Sequence, residues 1–352
     1  MAENRPGVII GADTHKRAHT VAVVSGTGEE LAAKEFAADA AGYRQALAWA
    51  RSFGRPLRAG VESTGAYGAG LCACLKGAGI EVYDVWAPDR GRRRLQGKDD
   101  AKDAFQAAQA ALSHTRCSVA KDKGTDVDSA LAVEGAYRLA VRQRTASMNA
   151  LKAAVLRLPA PWRARLEGKG ARGLVPACAA LRAAPDAAGL GAGARAALRH
   201  YARQVQSLDK DISLLDKEVR RYAALLVPNT LGPAGVGCHG AVTLLGAAGA
   251  NIGRMRGEAA FSMLCGTSPV PASSGDRCHY RLNRGGDRKA NCALHVMAIT
   301  RMRVCAETRS YIARKMSEGK SKKDAVRALK RYLSREVFCS LKADLAMLGL
   351  VP

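Results

Sequence analysis

The chain has 352 residues, with 55 Lys and Arg against 31 Asp and Glu and a net charge of +24. We therefore expect two or three domains and a polyanionic partner, of which nucleic acid is the commonest. Ten cysteines without a CxxC pair exclude a zinc ribbon or a thioredoxin-like redox motif and indicate a cytosolic protein. The N-terminus lacks the apolar core of a signal peptide. Prolines and glycines break the uncharged stretch 223–253, so we expect no membrane span.

The first third of the sequence has the pattern of an α/β domain. It predicts strands at 7–13, 18–25 and 29–37, a helix at 40–52, a strand at 57–62, a helix at 65–77, a strand at 80–86 and a helix at 99–113. An antiparallel meander followed by alternating helices and strands is the order of the ribonuclease-H-like fold. We expect an α/β domain followed by mainly helical parts.

Four carboxylates stand where this fold would bring them together. Asp13 ends the first predicted strand, Glu62 ends the strand at 57–62, and Asp100 and Asp103 share one face at the start of the 99–113 helix. Converging carboxylates repel one another without cations, and Mg²⁺ is the usual cation with oxygen ligands. We therefore predict that these acids hold one or two Mg²⁺ ions for phosphoryl transfer. The competing interpretation is that they are helix caps and surface acids.

Residues 126–158 are rich in Ala, Leu and Arg and predict a long helix that extends the first domain to residue 158. Arg138, Arg142, Arg144 and Lys152 would lie along a phosphate backbone or on a solvated helix face, and the sequence leaves both open. Residues 159–197, rich in Ala, Gly and Pro, predict a linker with short helices.

Residues 198–227 carry the clearest periodicity in the chain. Apolar residues alternate by three and four positions over four heptads, at Leu198, Tyr201, Val205, Leu208, Ile212, Leu215, Val219, Tyr222 and Leu226. Unbroken spacing of this kind is typical of a coiled coil. We expect self-association through this helix; the main alternative is an intramolecular antiparallel hairpin with the 126–158 helix.

The final domain, residues 228–352, begins with a glycine-rich turn. Gly235 and Gly237 precede an apolar helix at 241–248, and the free N–H groups of such a turn suit a DNA phosphate, as in helix-hairpin-helix modules. A tight turn between two packed helices would use the same glycines. The last 102 residues hold 20 Lys and Arg against 8 acids, which is half of the excess charge.

A serine-rich loop in this domain is followed by a basic run. Cys265 to Gly275 ends in Ser273-Ser274-Gly275, and the run from Arg281 to Asn291 contains Arg284, Arg288 and Lys289. A serine in such a loop could attack phosphorus while guanidinium groups neutralise the developing charge. Ser-Ser-Gly is equally common as a plain turn.

Several short motifs occur here in the order seen in one family. They are Glu62-x-Thr64-Gly65-x-Tyr67, Lys98-x-Asp100-x-x-Asp103-Ala104, Gly235-Val236-Gly237, the block from Cys265 to Gly275, and Arg284-Gly285-Gly286-Asp287-Arg288. On these residues the chain resembles the IS110 family of insertion-sequence transposases, whose elements encode a bridge RNA. The resemblance covers nearly the whole length, apart from about 159–197.

The resemblance implies a RuvC-like DEDD domain with Asp13, Glu62, Asp100 and Asp103, and a serine transposase domain with Ser274 as nucleophile. Ser273 is the competitor, and Ser274 is assigned because the family serine directly precedes the glycine, here Gly275. Asp99 departs from the Thr, Ser or Asn common at that position; it would alter metal affinity or replace Asp100 as a ligand.

Members of this family act on double-stranded donor and target DNA, paired by the element-encoded bridge RNA, in the bacterial cytoplasm. The resemblance further implies a covalent phosphoserine link, strand exchange through a junction and a homodimer assembling to a tetramer. Three alternatives remain: a RuvC-like junction-resolving nuclease, a non-catalytic nucleic-acid-binding derivative, and a serine recombinase guided by protein alone.

Overall fold

The computed structural model describes residues 6–86, 99–182, 191–271, 280–281 and 283–350. These residues form two compact units. The N-terminal unit comprises the described residues up to Thr125 together with Gly249–Arg256. The C-terminal unit comprises Asp126–Ala248 and Gly257–Leu350. The chain therefore leaves the N-terminal unit, returns to it for eight residues and leaves it again.

The N-terminal unit is built around a six-stranded mixed sheet. Its elements are β1 (Gly7–Thr14), β2 (Ala18–Ser25), β3 (Glu30–Ala37), α1 (Ala40–Phe53), β4 (Arg55–Glu62), α2 (Ala69–Gly77), β5 (Glu81–Val85), α3 (Asp100–Ser113) and β6 (Cys117–Val119). The strand order is β3-β2-β1-β4-β5-β6. Neighbouring strands are antiparallel except β1–β4 and β4–β5, which are parallel.

The central strand β1 has a core on each of its faces. Val8, Ile10 and Ala12 belong to the larger core beneath α1 and α2, and Ile9 lies with Ala108 and Ala111 of α3 on the other face. A strand covered on both faces needs a continuous apolar run, which is what β1 has. The edge strand β3 is mostly exposed and carries three charged residues, Glu30, Lys34 and Glu35, as suits an edge that must not pair with another chain.

The eight elements predicted for this unit are present, with two differences. Strand β6 was not predicted, because three residues are too few to show a period. Helix α2 begins at Ala69 rather than at residue 65, because residues 63–68 form a hydrogen-bonded turn in which the Ser63 carbonyl accepts from the Ala66 and Gly68 N–H groups.

The returning segment Gly249–Arg256 is tied to the unit by a side-chain amide. Asn251 Nδ2 donates to the Ala120 carbonyl at 2.9 Å, and Asn251 Oδ1 accepts from the Asp122 N–H at 3.2 Å. Ile252 next to it is buried. Burial lowers the pKa of Arg254, against the opposing charges of Asp84 and Asp122. The segment is thus part of the N-terminal fold.

The C-terminal unit is mostly helical. Its elements are α4 (Asp126–Leu156), α5 (Ala160–Leu166), α6 (Ala171–Ala179), α7 (Ala192–Leu226), α8 (Pro228–Leu231), α9 (Cys238–Ala248), α10 (Glu258–Leu264), β7 (Val270–Pro271), β8 (Tyr280–Arg281), α11 (Arg288–Val304), α12 (Ala306–Ser317) and α13 (Lys322–Met347). The sequence predicts that the long helix α4 extends the first domain, whereas by its contacts α4 belongs to this unit. None of the helices in the described ranges has the length and apolar character needed to cross a membrane.

Helices α4 and α7 form an antiparallel hairpin. Near one end, Leu151 and Val155 of α4 share a core with Leu198 and Ala202 of α7. Further along, Ser147 Oγ donates to Gln204 Oε1 at 3.0 Å. Residue numbers rise along one helix as they fall along the other, so the helices run in opposite directions. The pairing is the intramolecular alternative considered for the heptad pattern, and α7 begins at Ala192, six residues before the predicted start.

The hairpin leaves part of the heptad seam uncovered. Val205 is fully buried against α4, whereas Leu208, Ile212 and Leu215 are only half-buried. A seam with one partner along its whole length would bury each of these positions alike. The middle of α7 is therefore the part of the seam that a second chain could still contact.

A histidine joins three helices of this unit. His239 of α9 has Nδ1 2.6 Å from Glu134 Oε2 of α4 and Nε2 2.9 Å from Asp216 Oδ1 of α7. Its ring stacks on Tyr137 with centroids 4.0 Å apart. The hydrogen bond to Glu134 and a second to Asp216 raise the pKa of His239, although burial opposes this. Only the protonated imidazolium donates to both carboxylates at once.

We expect His239→Gln to destabilise the protein by about 1–3 kcal/mol at pH 6, since hydrogen bonds to charged groups are lost. The folded-state pKa lies above the ordinary 6.5, so this stabilisation is complete below about pH 6.5 and is lost as the pH rises through the folded value. Urea denaturation at pH 6 and pH 9 measures the difference in free energy of unfolding between the variant and the wild type. His200→Gln, an exposed histidine of α7, is the control. An equal loss at both pH values contradicts the protonated bridge.

Candidate active site

Two glycines let helix α3 lie directly on the sheet. A Cβ atom at Gly11 of β1 would be 1.9 Å from the Ala104 carbonyl oxygen, and one at Gly60 of β4 would be 2.1 Å from that of Ala107. Such distances are far inside van der Waals contact, so no larger residue fits either position without moving the helix. Backbone contact thus fixes where α3 lies across the two parallel strands.

The first two acids lie two residues beyond these glycines. Side chains alternate along a strand, so Asp13 points to the α3 face as Gly11 does, and Glu62 points there as Gly60 does. The parallel register places Ala12 beside Val61, so the acids end adjacent strands at one level. Thr14 Oγ1 donates to the Glu62 carbonyl at 3.0 Å and joins these strand ends. Asp13 is 5% exposed.

The other two acids occupy the first turn of α3. Asp99 caps the helix, its side chain accepting from the Ala101 N–H at 3.0 Å. Asp100 and Asp103 follow, and Asp103 is 7% exposed. Asp99 is thus engaged as a helix cap. The Thr, Ser or Asn that is common at this position in the similar family would perform the same role. A negative charge at a helix N-terminus is favoured by the helix dipole.

A residue absent from the predicted site lies among these acids. His15 Nε2 is 3.2 Å from Asp13 Oδ2 and 3.4 Å from Asp100 Oδ2. One ligand atom from each of the three side chains fits within 4.8 Å of the others. The signal was available in the sequence, because His15 directly follows the end of β1 and lies two residues after Asp13, so the alternation of the strand directs it to the same side.

A second unpredicted residue, Asp84 of β5, holds the turn after Glu62. Asp84 Oδ1 accepts from Thr64 Oγ1 at 2.6 Å and from the Thr64 N–H at 3.4 Å. Ser63 between them has φ +53°, a left-handed conformation that a non-glycine residue adopts only when its surroundings hold it there. The Asp84–Thr64 contact therefore stabilises the chain direction immediately after the Glu62 carboxylate.

This set of groups suits a divalent cation. Carboxylate oxygens are the ligands that hard cations prefer, and two of the acids are largely buried, where unbalanced negative charge is costly. Asp13, Glu62, Asp100 and Asp103 are the residues that would hold it.

The serine loop lies in the C-terminal unit, between strands β7 and β8. Val270 pairs with Arg281 and Pro271 with Tyr280, so these two short strands form the base of a hairpin. Residues 272–279, with both Ser273 and Ser274, lie outside the described residues.

A glycine contact and a buried polar network support the hairpin base. A Cβ atom at Gly286 would be 2.3 Å from the Gly266 nitrogen, so only glycine permits this approach of the two loops. Asn291 Nδ2 donates to the Cys265 and Gly266 carbonyls at 2.9 and 3.0 Å. Its Oδ1 accepts from Lys330 Nζ at 2.8 Å. Lys330 is 7% exposed, and burial lowers its pKa.

Two cavities adjoin this base and share Asn283 and Arg284. One, of about 330 Å³, is also lined by Arg288 and His295, and the other, of about 500 Å³, by Arg281. The three arginines predicted beside the serine therefore all face cavities at the foot of the hairpin. Lys289, predicted with them, is exposed on the first turn of α11.

Two family models match the chain on either side of its middle. A model for the DEDD transposase of the IS110 group matches residues 10–158. A model described as "Transposase IS116/IS110/IS902 family" matches residues 233–313. Together they cover about two thirds of the chain. The chain belongs to the IS110 family of transposases. No match was found among the curated proteins. As an IS110-family transposase, the protein processes DNA, and its DEDD domain implies a divalent metal.

The glycine-rich turn of this transposase serves helix packing. Gly235 has φ +86°, and a Cβ atom there would be 3.0 Å from the Met297 carbonyl of α11. Arg301 of α11 donates from Nε to the Ala234 carbonyl at 2.6 Å. These contacts favour the packed-turn alternative for Gly235. At Gly237 a Cβ atom would meet nothing within 4 Å, so the structure gives no packing reason for that glycine.

The basic residues of α4 divide into paired and solvent-exposed ones. Arg144 forms an ion pair with Asp209 of α7, and Arg138 binds Glu134 and Thr243, so both have intramolecular roles. Arg142 and Lys152 are exposed. Of the side chains predicted to follow a phosphate backbone, these two remain for that role.

We expect Gly11→Ala to displace α3 and destabilise the N-terminal unit by about 1–3 kcal/mol, the usual cost of overpacking. The rate of DNA strand cleavage should fall by more than the loss of folded protein accounts for, because α3 carries Asp100 and Asp103. Gly77→Ala is the matched control, since a Cβ atom there meets nothing within 4 Å. Urea denaturation and a metal-dependent cleavage assay measure both. Wild-type stability and cleavage in Gly11→Ala would refute the backbone contact.

Proposed function

We propose that this transposase is an RNA-guided recombinase that cuts, exchanges and rejoins DNA through a phosphoserine intermediate. The observation that carries the proposal is that Asp13 and Glu62 end adjacent parallel strands at one level, while α3, which begins with Asp100 and Asp103, packs on the same two strands. It is supported by the membership of the chain in a transposase family with a DEDD domain. The arginine-lined cavities at the base of the serine hairpin add the second part of the chemistry.

In this proposal Asp13, Glu62, Asp100 and Asp103 hold one or two Mg²⁺ ions. A bound cation would act as a Lewis acid that stabilises negative charge on phosphate oxygens. The protein residues position these ligands: Gly11 and Gly60 fix α3, Thr14 joins the strand ends, and Asp84 with Thr64 holds the turn after Glu62.

The covalent step is assigned to Ser274. Its Oγ forms a bond to phosphorus as the bond from phosphorus to a deoxyribose oxygen breaks. The serine proton passes to a base or to water, and the departing oxygen takes up a proton. Arg281, Arg284 and Arg288 neutralise the charge that develops on the phosphate. One phosphate ester replaces another, so the step is readily reversed, and a second deoxyribose oxygen can rejoin the strand.

Nucleic-acid binding rests on charge spread over the whole chain. The net charge of +24 and the exposed Arg142 and Lys152 suit phosphate backbones of donor DNA, target DNA and a guide RNA. We further propose a homodimer that assembles to a tetramer. The half-buried Leu208, Ile212 and Leu215 are the residues of α7 that a second chain would cover.

We expect Ser274→Ala to abolish a protein–DNA adduct while leaving DNA and RNA binding nearly unchanged, since most affinity comes from many phosphate contacts. The adduct is detected on a denaturing gel after incubation with Mg²⁺, RNA and both DNA sites. Ser273→Ala is the matched control and should retain the adduct.

The opposite result, an adduct in Ser274→Ala and none in Ser273→Ala, would move the nucleophile to the neighbouring serine. If neither change affects the adduct, or if wild-type protein cuts DNA without one, the covalent mechanism is wrong and a junction-resolving nuclease is favoured.

We expect recombination to require an RNA encoded beside the gene, because the resemblance assigns pairing with both DNA partners to an element-encoded bridge RNA. Purified protein is treated with ribonuclease, the ribonuclease is inhibited, and both DNA sites are added. Recombination should be lost and should return when the flanking non-coding transcript is supplied. A transcript with both internal loops scrambled is the control. Recombination that persists without RNA would instead indicate site recognition by protein alone.

A further inference from the structure

His15 occupies a fixed place beside the acids. It begins the turn from β1 to β2, where its N–H donates to the Ala18 carbonyl at 3.1 Å. Its side chain is 44% exposed overall, but the Nε2 atom is buried and faces Asp13 and Asp100. We infer that His15 is a nitrogen ligand of the metal site and that the site therefore prefers Mn²⁺ to Mg²⁺. The inference rests on the proposed metal-binding role of the acids.

The spacing of the three groups matches ligands of one cation. Two ligand atoms at right angles around a cation, with bonds of about 2.1–2.2 Å, are about 3.0–3.1 Å apart. His15 Nε2 is 3.2 Å from Asp13 Oδ2 and 3.4 Å from Asp100 Oδ2. Only small shifts separate these distances from a shared coordination shell.

The competing explanation is an imidazolium that bridges two carboxylates. One Nε2–H bond points in one direction, so it cannot donate well to two acceptors. Within the described ranges Nε2 has no hydrogen-bond partner of acceptable geometry, although both oxygens are close. A nitrogen lone pair directed at a cation shared with the carboxylates accounts for both facts.

An imidazole ligand changes which metal the site selects. Carboxylates and water suit Mg²⁺, whereas imidazole suits first-row transition metals, whose affinity for nitrogen ligands rises from Mn²⁺ along the series. Four carboxylates alone would give a Mg²⁺ site. Adding the His15 nitrogen favours Mn²⁺ without removing an oxygen ligand.

The test measures metal binding by the full-length protein in the absence of DNA and RNA. Mn²⁺ affinity is read from the paramagnetic resonance signal of free Mn²⁺, and Mg²⁺ affinity from its competition with Mn²⁺. Pulsed measurements on bound Mn²⁺ detect a coordinated ¹⁴N nucleus. We expect His15→Ala to lose the ¹⁴N signal and to lower Mn²⁺ affinity at least about tenfold. Mg²⁺ affinity should change far less. His15→Asn is a second variant with an oxygen donor, and Lys16→Ala, exposed on the same turn, is the control.

Asp13→Asn separates the two proposals. If it abolishes specific Mn²⁺ binding while His15→Ala keeps wild-type affinity, or binds Mn²⁺ more tightly, His15 is not a ligand and the acids still hold the metal. If Asp13→Asn binds Mn²⁺ as the wild type does, the acids do not form the metal site and both proposals fail. Loss of the ¹⁴N signal in His15→Ala and His15→Asn, with Lys16→Ala unchanged, supports the inference.

Discussion

The backbone of α3 touches the backbones of β1 and β4, and the arrangement of the acids depends on this contact. Where side chains separate a helix from a sheet, the helix can shift by repacking them. Here Gly11 and Gly60 leave nothing to repack, and the Ala104 and Ala107 carbonyls lie against the strands. Main-chain contact therefore sets the distance between the acids of the strands and those of the helix, and it does so against their mutual repulsion.

This close approach reduces hydrophobic stabilisation on one face of the sheet. The buried apolar residues that α3 itself contributes to its face are alanines, which bury little apolar area each, whereas the other face buries larger residues such as Ile10, Leu71 and Leu75. Since the free energy gained is roughly proportional to apolar area, most of the stability of this unit comes from the face opposite the acids. Stability and chemistry are thus assigned to different faces of one sheet.

The C-terminal unit uses a similar contact in polar surroundings. Gly266 and Gly286 approach as closely as glycine allows, but the loops around them are held by Asn291 and the buried Lys330. Within the described residues this ammonium donates to a neutral amide and forms no ion pair with a carboxylate. Burying a charge in this way is costly, so the network stabilises the base of the serine hairpin at the expense of the surrounding core.

Local pattern was sufficient for the eight predicted strands and helices of the N-terminal unit but not for the three-residue strand β6. It was also sufficient to put Asp13 and Glu62 in the last residues of their strands and Asp100 and Asp103 in the first turn of α3, because strand ends and helix starts are visible in the sequence. Asp84 was not foreseeable in this way, since its role depends on β5 lying beside β4. His15 was foreseeable from strand alternation, but it lies two residues beyond the end of the predicted strand. The heptad spacing of α7 shows that one face is apolar, but it does not show which helix packs on that face. In the structure α4 of the same chain packs there, where a second chain was expected.

The eight residues Gly249–Arg256 have a consequence for how this protein can change in evolution. They complete the N-terminal fold through Asn251, yet they are encoded far downstream, inside the segment matched by the second family model. Conversely, α4 lies inside the segment matched by the first model but folds with the C-terminal unit. An exchange of gene segments at the boundary of either match would separate α4 or Gly249–Arg256 from the unit with which it folds. The two halves are therefore expected to be inherited together, as one interlaced unit rather than as interchangeable modules.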